Sequence, residues 1–309
     1  MAWLAITISA YFLVALEMVL DKFLITSKRV SHPAVYAFYS GMLSTFAFLL
    51  FPFGFHFVEM PKIIVSVLSG MVFLYGILAL FFAFDKSEAS QVAPVSGAFT
   101  TIATYFISSL FLKERLDPEH IIGVVLLVIG SLFISINMFD KKEKMFFHGF
   151  GKSILAGVLL AIAYTSFKGF YQHDRFINIF IWTRLGLFLG ACSLLLFGEW
   201  RKPILKSLMH FRSPQKEHYS ASSLFVSNKA LGGIGSILLN YAISLGSVTL
   251  VNALVALQYS FIFIMGIILA RWFPKTFREK GDRRVIFQKF AAIILITLGV
   301  VLVSVKKHI

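Results

Sequence analysis

The sequence predicts an all-α polytopic membrane protein of about ten transmembrane helices, arranged as two inverted five-helix repeats. Three observations support this prediction. Hydrophobic residues make up 58% of the 309 residues and charged residues only 14%, whereas soluble domains contain about 25% charged residues. The chain contains ten apolar runs long enough to cross a bilayer. The two halves of the chain also resemble each other at corresponding places.

Each apolar run predicts one helix, because a helix satisfies its own backbone hydrogen bonds where no water is available. The predicted spans of the first half cover residues 3–25, 34–55, 63–84, 92–112 and 121–139, and those of the second half cover residues 153–171, 177–197, 224–245, 248–270 and 290–305. The eighth and ninth runs almost touch, so a count of nine is the alternative. The two longer connections, 199–223 and 271–289, are basic and polar, and neither contains enough apolar periodicity to form a soluble domain.

The similarity between the halves indicates a duplication. Residues 84–90 correspond to 241–247 at an offset of 157, and residues 129–135 correspond to 298–304 at an offset of 169. Lys22 in the first span aligns with Lys168 in the sixth, at an offset of 146. The predicted domains are therefore a first repeat at 1–139, a basic linker at 140–152 and a second repeat at 153–309. Copies of a five-span unit must lie in the membrane with opposite orientations, as they do in many secondary transporters.

Charge and composition exclude several classes of function. The net charge of +14 comes mainly from lysines and arginines between the apolar runs, where they contact lipid headgroups, so we do not expect nucleic-acid binding. The single cysteine, Cys192, cannot form an intramolecular disulfide. All eight histidines fall in connections or at the end of the chain, without metal-binding spacing. No phosphate-binding Gly-x-x-x-x-Gly-Lys motif is present. We therefore expect no cofactor, and energy from ions or from exchange.

Several short motifs resemble the EamA-like branch of the drug/metabolite transporter superfamily. They are ASQVAPV at 89–95, LKERL at 112–116, IIG at 121–123 and IG at 129–130, with a weaker second copy from 273–279 and from 288–299. The resemblance implies ten helices, a central cavity lined by the inner spans of both repeats, and transport of small metabolites, often by exchange or proton coupling. It also implies that both termini face the cytoplasm. The positive-inside rule favours the opposite orientation, so the side of the termini stays open.

Ionisable residues deep in a span are candidates for function, because a charge at the bilayer centre is costly. Glu17 is the deepest acid, and Asp21 follows it one turn later on the same helix face. The two carboxylates form a candidate site that takes up and releases a proton during transport. The alternative is that the helix ends near Leu20 and that both acids face headgroup water, paired with Lys22.

Four further polar residues are candidates for substrate contact. Lys168 and Lys229 lie close enough to span ends to reach the interface instead. Arg184 lies deeper, and the two alternatives for it are an anionic substrate or a pairing with Glu17. Gln258 lies halfway along the ninth span, where its amide could bond a substrate or a neighbouring helix.

The sequence therefore favours a secondary transporter that moves a small metabolite by alternating access, with Glu17 as the proton- or cation-responsive group. The alternatives are a membrane-embedded enzyme acting on lipid-linked groups and a non-transporting scaffold. The expected partners are a small-molecule substrate and membrane lipid, the expected location is the plasma (inner) membrane, and the expected state is a monomer or homodimer. Glycines at 186 and 190, four residues apart in the seventh span, predict close helix packing.

Overall fold

The computed structural model describes residues 2–25, 32–87, 89–135, 147–210, 219–273 and 283–305, and these residues contain helices and no strand. The helices are α1 (Ala2–Ile25), α2 (Pro33–Leu43), a 3₁₀ helix (Ser44–Leu50), α3 (Met60–Phe84), α4 (Ala89–Phe111), α5 (Pro118–Ser135), α6 (Phe150–Tyr171), α7 (Phe176–Leu194), α8 (Gly198–His210), α9 (Tyr219–Leu245), α10 (Val248–Ala253), α11 (Val255–Ala270) and α12 (Arg283–Ser304).

Seven helical segments of the described residues are long and apolar enough to cross a membrane. They are Ala2–Leu20, Pro33–Leu50, Met60–Phe84, Phe150–Tyr171, Phe176–Leu194, Val248–Ala270 and Phe287–Ser304. Pro118–Ile134 is apolar but shorter. An all-helical protein with several membrane spans is confirmed, and the count of ten stays a prediction. The predicted linker at 140–152 lies mostly outside the described residues, and its last three residues already belong to α6.

Local chemistry explains several helix starts. Pro33 occupies the first turn of α2, and the His32 ring accepts a hydrogen bond from the Ala34 backbone N–H at 3.2 Å. Ser247 caps α10 in the same way, because its hydroxyl accepts the Leu250 N–H at 3.0 Å. Proline at the first turn and a side-chain acceptor before it satisfy helix N–H groups that have no partner inside the helix.

Two predicted spans are interrupted in the structure. The second was predicted as one helix over 34–55, but it tightens into the 3₁₀ helix at Ser44. The Ser44 hydroxyl donates to the carbonyls of Gly41 at 2.6 Å and Arg184 at 2.9 Å, and such side-chain bonds compete with the α-helical ladder. The ninth span breaks at Leu254, between α10 and α11. There the Tyr11 hydroxyl donates to the carbonyl of Val251 at 3.0 Å.

The helix α8 lies in the basic connection after the seventh span and was not predicted from the sequence. The helix buries Ile204 and exposes Arg201 and Lys202, the pattern of a helix at an interface between apolar and aqueous surroundings. The hydroxyls of Tyr39 on α2 and Ser207 on α8 are 3.1 Å apart and share a hydrogen bond. This connection is therefore structured and attached to α2, although it contains no separate domain.

The chain forms two compact units. The first unit contains residues 1–29, 115–147 and 215–309, and the second contains residues 30–114 and 148–214. Each unit thus combines helices from both halves of the sequence.

In the first unit, α1 packs against α9 and α11, and α5 packs against α12. The α5–α12 pair runs antiparallel, because Gly123 lies beside Gly299 while Gly130 lies beside Ala292. A Cβ atom on Gly299 would come within 2.9 Å of the Gly123 carbonyl oxygen. The two backbones therefore approach so closely that glycine is needed at this contact.

In the second unit, α3 packs against α6 and α7, α4 packs against α6, and α2 packs against α7. The α2–α7 pair is antiparallel, since Gly41 lies beside Leu187 and Ser44 lies beside Arg184. The closest approach of two backbones is between α3 and α7 at Gly70 and Gly186. Close packing at Gly186 was predicted from the sequence, and it is confirmed.

Candidate functional site

An ion pair joins two long helices of the first unit. Lys229 on α9 donates through Nζ to Oε1 of Glu17 on α1 at 2.8 Å. The Glu17 side chain is 18% exposed and that of Lys229 30% exposed, so water screens the pair only in part. Gly232 lies against the Glu17 carboxylate, where any side chain would collide with it. Glycine at this position therefore makes room for the acid between the two helices.

The same stretch of α1 contacts the interrupted ninth span. The Gln258 amide, which is 7% exposed, donates to the Met18 sulfur at 2.8 Å. Six residues earlier than Glu17, Tyr11 donates to the Val251 carbonyl as described above. Both contacts join helices of one unit, so the interhelical alternative for Gln258 accounts for its amide in this conformation. α1 thus presents polar groups to α9, α10 and α11.

Asp21 was predicted as the second acid of this site. Its backbone belongs to α1, but its side chain lies outside the described residues. The alternative in which the helix ends near Leu20 is wrong, because α1 continues to Ile25. The Glu17 carboxylate pairs with Lys229, and the side chain of Lys22, the partner considered from the sequence, lies outside the described residues.

Arg184 is the buried cation of the second unit. The residue is 5% exposed, and its Cζ atom lies 4.4 Å from the ring centre of Phe180 and 5.8 Å from that of Phe73. Its Nε and Nη2 atoms are buried and find no hydrogen-bond partner among the described residues.

Lys168 lies near the end of α6 in the second unit, and its side chain is partly exposed. The Glu114 carboxylate, just after α4, acts on it electrostatically. Lys229, by contrast, forms an ion pair with Glu17. The basic candidates therefore differ in their charged neighbours. Lys168 and Lys229 each have a carboxylate nearby, whereas Arg184 forms no ion pair with a carboxylate of the described residues.

A polar cluster outside the predicted site joins two connections of the second unit. Asn178 at the start of α7 donates to Asp174 Oδ1 at 2.8 Å, and its own Oδ1 accepts the His56 backbone N–H at 3.0 Å. The His56 ring lies 3.7 Å from the same Asp174 oxygen. An open cavity of about 740 Å³ adjoins the cluster and is also lined by Arg175. The cluster was not predicted from the sequence, because His56 is more than 100 residues from Asp174 and Asn178 and the set matches no local motif.

No group of three or more His, Cys, Asp or Glu side chains that could hold a metal ion occurs in the described part of the chain. The candidate chemistry is therefore that of charged and amide side chains inside helix bundles. The two sets of residues, one around Glu17 and one around Arg184, lie in different units, and each is described within its own unit.

Comparison with known proteins identifies the class. The family model of the EamA-like transporter family matches residues 1–136. An uncharacterized protein of Methanocaldococcus jannaschii, MJ1333.1, is 39% identical over 72 residues, which are 23% of this chain and 52% of that protein. The chain thus spans about half the length of this curated relative.

A solved structure described only as the crystal structure of a protein shares the fold. Its identity to this chain is 15% and the TM-score is 0.65, with coverage of 98% of this chain and 96% of the other. The resemblance predicted from the short motifs is confirmed by the family match, and the apolar helices agree with it. The chain is a multi-pass membrane protein whose residues 1–136 match the family model of the EamA-like transporter family.

Proposed function

We propose that the protein is a secondary transporter that moves a small metabolite across the plasma membrane by alternating access between two inverted five-helix repeats. The observation that carries this proposal is the direction of the helix pairs α5–α12 and α2–α7. Each pair contains helices that correspond under the predicted duplication, and each runs antiparallel. An inverted repeat requires corresponding helices to run in opposite directions.

The position of the α5–α12 crossing adds to this support. At the offset of 169 between the two halves, Gly123 corresponds to Ala292 and Gly130 corresponds to Gly299. The contact of Gly123 with Gly299 is thereby converted into the contact of Ala292 with Gly130, which is the other close approach of this pair. A twofold axis passing through the contact produces this exchange of equivalent positions.

Four further helix pairs follow the same exchange, whereas the α3–α7 pair has no such counterpart among the principal helix contacts of the described residues. In the first unit, the first span α1 packs against the eighth span α9 and the ninth span α11. In the second unit, the sixth span α6 packs against the third span α3 and the fourth span α4. Replacing each helix by its counterpart in the other half converts one set of contacts into the other. We infer that the transport cycle uses these matched groups.

Cysteine labelling tests the inverted repeat directly. In a Cys192→Ser background, we expect Lys86→Cys and Arg271→Cys to react with a membrane-impermeant maleimide from one side of the membrane. We expect Lys113→Cys and Leu245→Cys to react from the other side, because corresponding connections of an inverted repeat lie on opposite faces. The four sites are exposed residues at or beside helix ends. Labelling of Lys86→Cys and Leu245→Cys from the same side would contradict the inverted arrangement, and the labelled side also fixes the orientation of the termini.

Transport itself is tested in proteoliposomes. We expect purified protein to accelerate the uptake of at least one solute from a panel of labelled amino acids, organic acids, sugars and nucleosides, relative to protein-free liposomes. Uptake should saturate with solute concentration and respond to preloading with the same unlabelled solute, because alternating access permits exchange. Absence of flux for every class of solute would favour a non-transporting scaffold, provided that a cooperative thermal unfolding transition shows the purified protein to be folded.

A further inference from the structure

Arg184 is a buried cation whose charge is not balanced by any described carboxylate. Burying a guanidinium without an anionic partner is unfavourable, and each buried N–H without an acceptor adds to that cost. The residue is 5% exposed, and its Nε and Nη2 atoms are both enclosed and without a hydrogen-bond partner in the described residues. A natural sequence that keeps such a group at a stability cost does so where the group has a function.

The surroundings of Arg184 place aromatic rings against the guanidinium but give its Nε and Nη2 atoms no hydrogen-bond partner among the described residues. Phe180 lies 4.4 Å and Phe73 5.8 Å from its Cζ atom, so the positive charge contacts aromatic rings. Tyr164 lies beside Phe73, with 5.3 Å between the ring centres. Aromatic rings do not accept the in-plane N–H bonds of Nε and Nη2. The lining is therefore suited to an apolar or planar group next to an anion.

The Nε and Nη2 atoms of Arg184, which have no hydrogen-bond partner among the described residues, have a specific geometry. The Nε–H and Nη2–H bonds of a guanidinium are parallel and lie on the same edge, where they bind the two oxygens of a carboxylate or phosphate side by side. Lysine cannot provide this arrangement, because its ammonium is a single point of charge. The free edge of Arg184 is therefore shaped for one oxyanion.

We propose that Arg184 binds the oxyanion of the transported solute, so that the substrate is a small organic acid or organic phosphate whose hydrocarbon part contacts Phe73 and Phe180. This proposal rests on the proposed transport function and specifies its substrate class. Because Nε and Nη2 are enclosed in this conformation, the anion reaches them when the helices of the second unit separate. Alternating access supplies such an opening in each cycle.

Thermal unfolding of the purified full-length protein in detergent tests this proposal without requiring transport. Benzoate and phenyl phosphate, added at millimolar concentration, are each expected to raise the unfolding midpoint, and the stronger response identifies a carboxylate or a phosphate as the preferred group. Benzamide, which has the shape of benzoate without its charge, is expected to leave the midpoint unchanged. A ligand that binds only the folded state raises the midpoint by an amount that grows with the logarithm of one plus the ratio of its concentration to its Kd.

The variants separate binding from a structural role. In Arg184→Met the anion-dependent shift should disappear, while the midpoint without anion should equal or exceed that of the native protein, because an unbalanced charge has been removed. Arg184→Lys keeps the charge but loses the parallel N–H pair, so its affinity for the preferred anion should fall about tenfold or more. Arg201→Met removes the same charge from the exposed face of α8 and should keep the native shift.

Three results would overturn the assignment. They are an equal anion shift in the native protein and in Arg184→Met, no shift by either anion in the native protein, and a midpoint of Arg184→Met well below the native value in the absence of anion. The last would show that Arg184 has an internal partner. Solute flux without Arg184-dependent binding would remove this inference alone, whereas Arg184-dependent binding without flux of any solute would remove the transport proposal and leave only an anion-binding site at Arg184.

Discussion

The Gly186→Ala substitution is expected to lower the unfolding midpoint of the purified protein by roughly 6–12 °C, which corresponds to a loss of about 3 kcal/mol in the free energy of unfolding. A Cβ atom at this position would collide with the Val67 carbonyl oxygen and would lie 2.9 Å from the Gly70 Cα atom. Both obstacles are backbone atoms, which no change of rotamer can move. The helices α3 and α7 must therefore separate along their contact, and neighbouring van der Waals contacts are lost with it.

The reciprocal substitution gives a second measurement of the same contact. A Cβ atom on Gly70 would collide with the Thr183 carbonyl oxygen of α7. We expect Gly70→Ala to have a loss similar to that of Gly186→Ala. The double variant should lose less than the sum of the two, because one separation of the helices accommodates both methyl groups.

Gly266 on α11 supplies the matched control. A Cβ atom there meets no other atom within 4 Å, so Gly266→Ala tests the same chemical change without a collision. Alanine is the better helix former by about 1 kcal/mol, and the control should unfold at or slightly above the native midpoint. A native midpoint for Gly186→Ala would contradict the close crossing of α3 and α7.

The helix ends illustrate what the sequence alone predicts well. The predicted ends of the first, third, sixth, eighth and ninth spans coincide with the ends of α1, α3, α6, α9 and α11. Polar residues or glycine follow each of these apolar runs, so the signal is local. The break at Leu254 has no such signal, because the segment around it contains neither glycine nor proline. The Tyr11 hydroxyl, 240 residues away, bonds a carbonyl at that break, and only the folded chain brings the two together.

In the candidate site, too, local features were predicted from the sequence and contacts between distant residues were not. Depth along a span singled out Glu17 and Arg184, because position in an apolar run is a local property of the sequence. Partners depend on which helices are adjacent, and adjacency here joins α1 to α9 across more than 200 residues. Lys229 was therefore considered for substrate contact or for the interface, and Glu17 was considered as a partner of Arg184 or Lys22. The polar cluster of His56, Asp174 and Asn178 was missed for the same reason.

The second large effect is expected at the Glu17–Lys229 pair, because Glu17 is the proton- or cation-responsive group predicted from the sequence and Lys229 is bound to it. Glu17→Gln should reduce the rate of solute uptake at least tenfold and make the remaining rate independent of pH, because the amide can neither ionise nor release Lys229 by protonation. Uptake is measured in proteoliposomes at equal protein content between pH 5 and pH 8. Protonation of the native carboxylate would instead break the 2.8 Å ion pair and free α9 from α1 at this point.

A double-variant cycle separates coupling from stability. Removing either charge takes this ion-pair partner from the other, which stays partly buried, so Glu17→Gln and Lys229→Met should each lower stability by about 1–2 kcal/mol, between the values for exposed and buried pairs. The combined variant removes both charges and should recover most of that stability, because neither charge then lacks a partner. Its uptake should stay as low as that of Glu17→Gln, since the titratable group is still missing. If the combined variant instead regained native, pH-dependent uptake, the pair would serve only to hold α1 against α9, and another group would have to couple ions to transport.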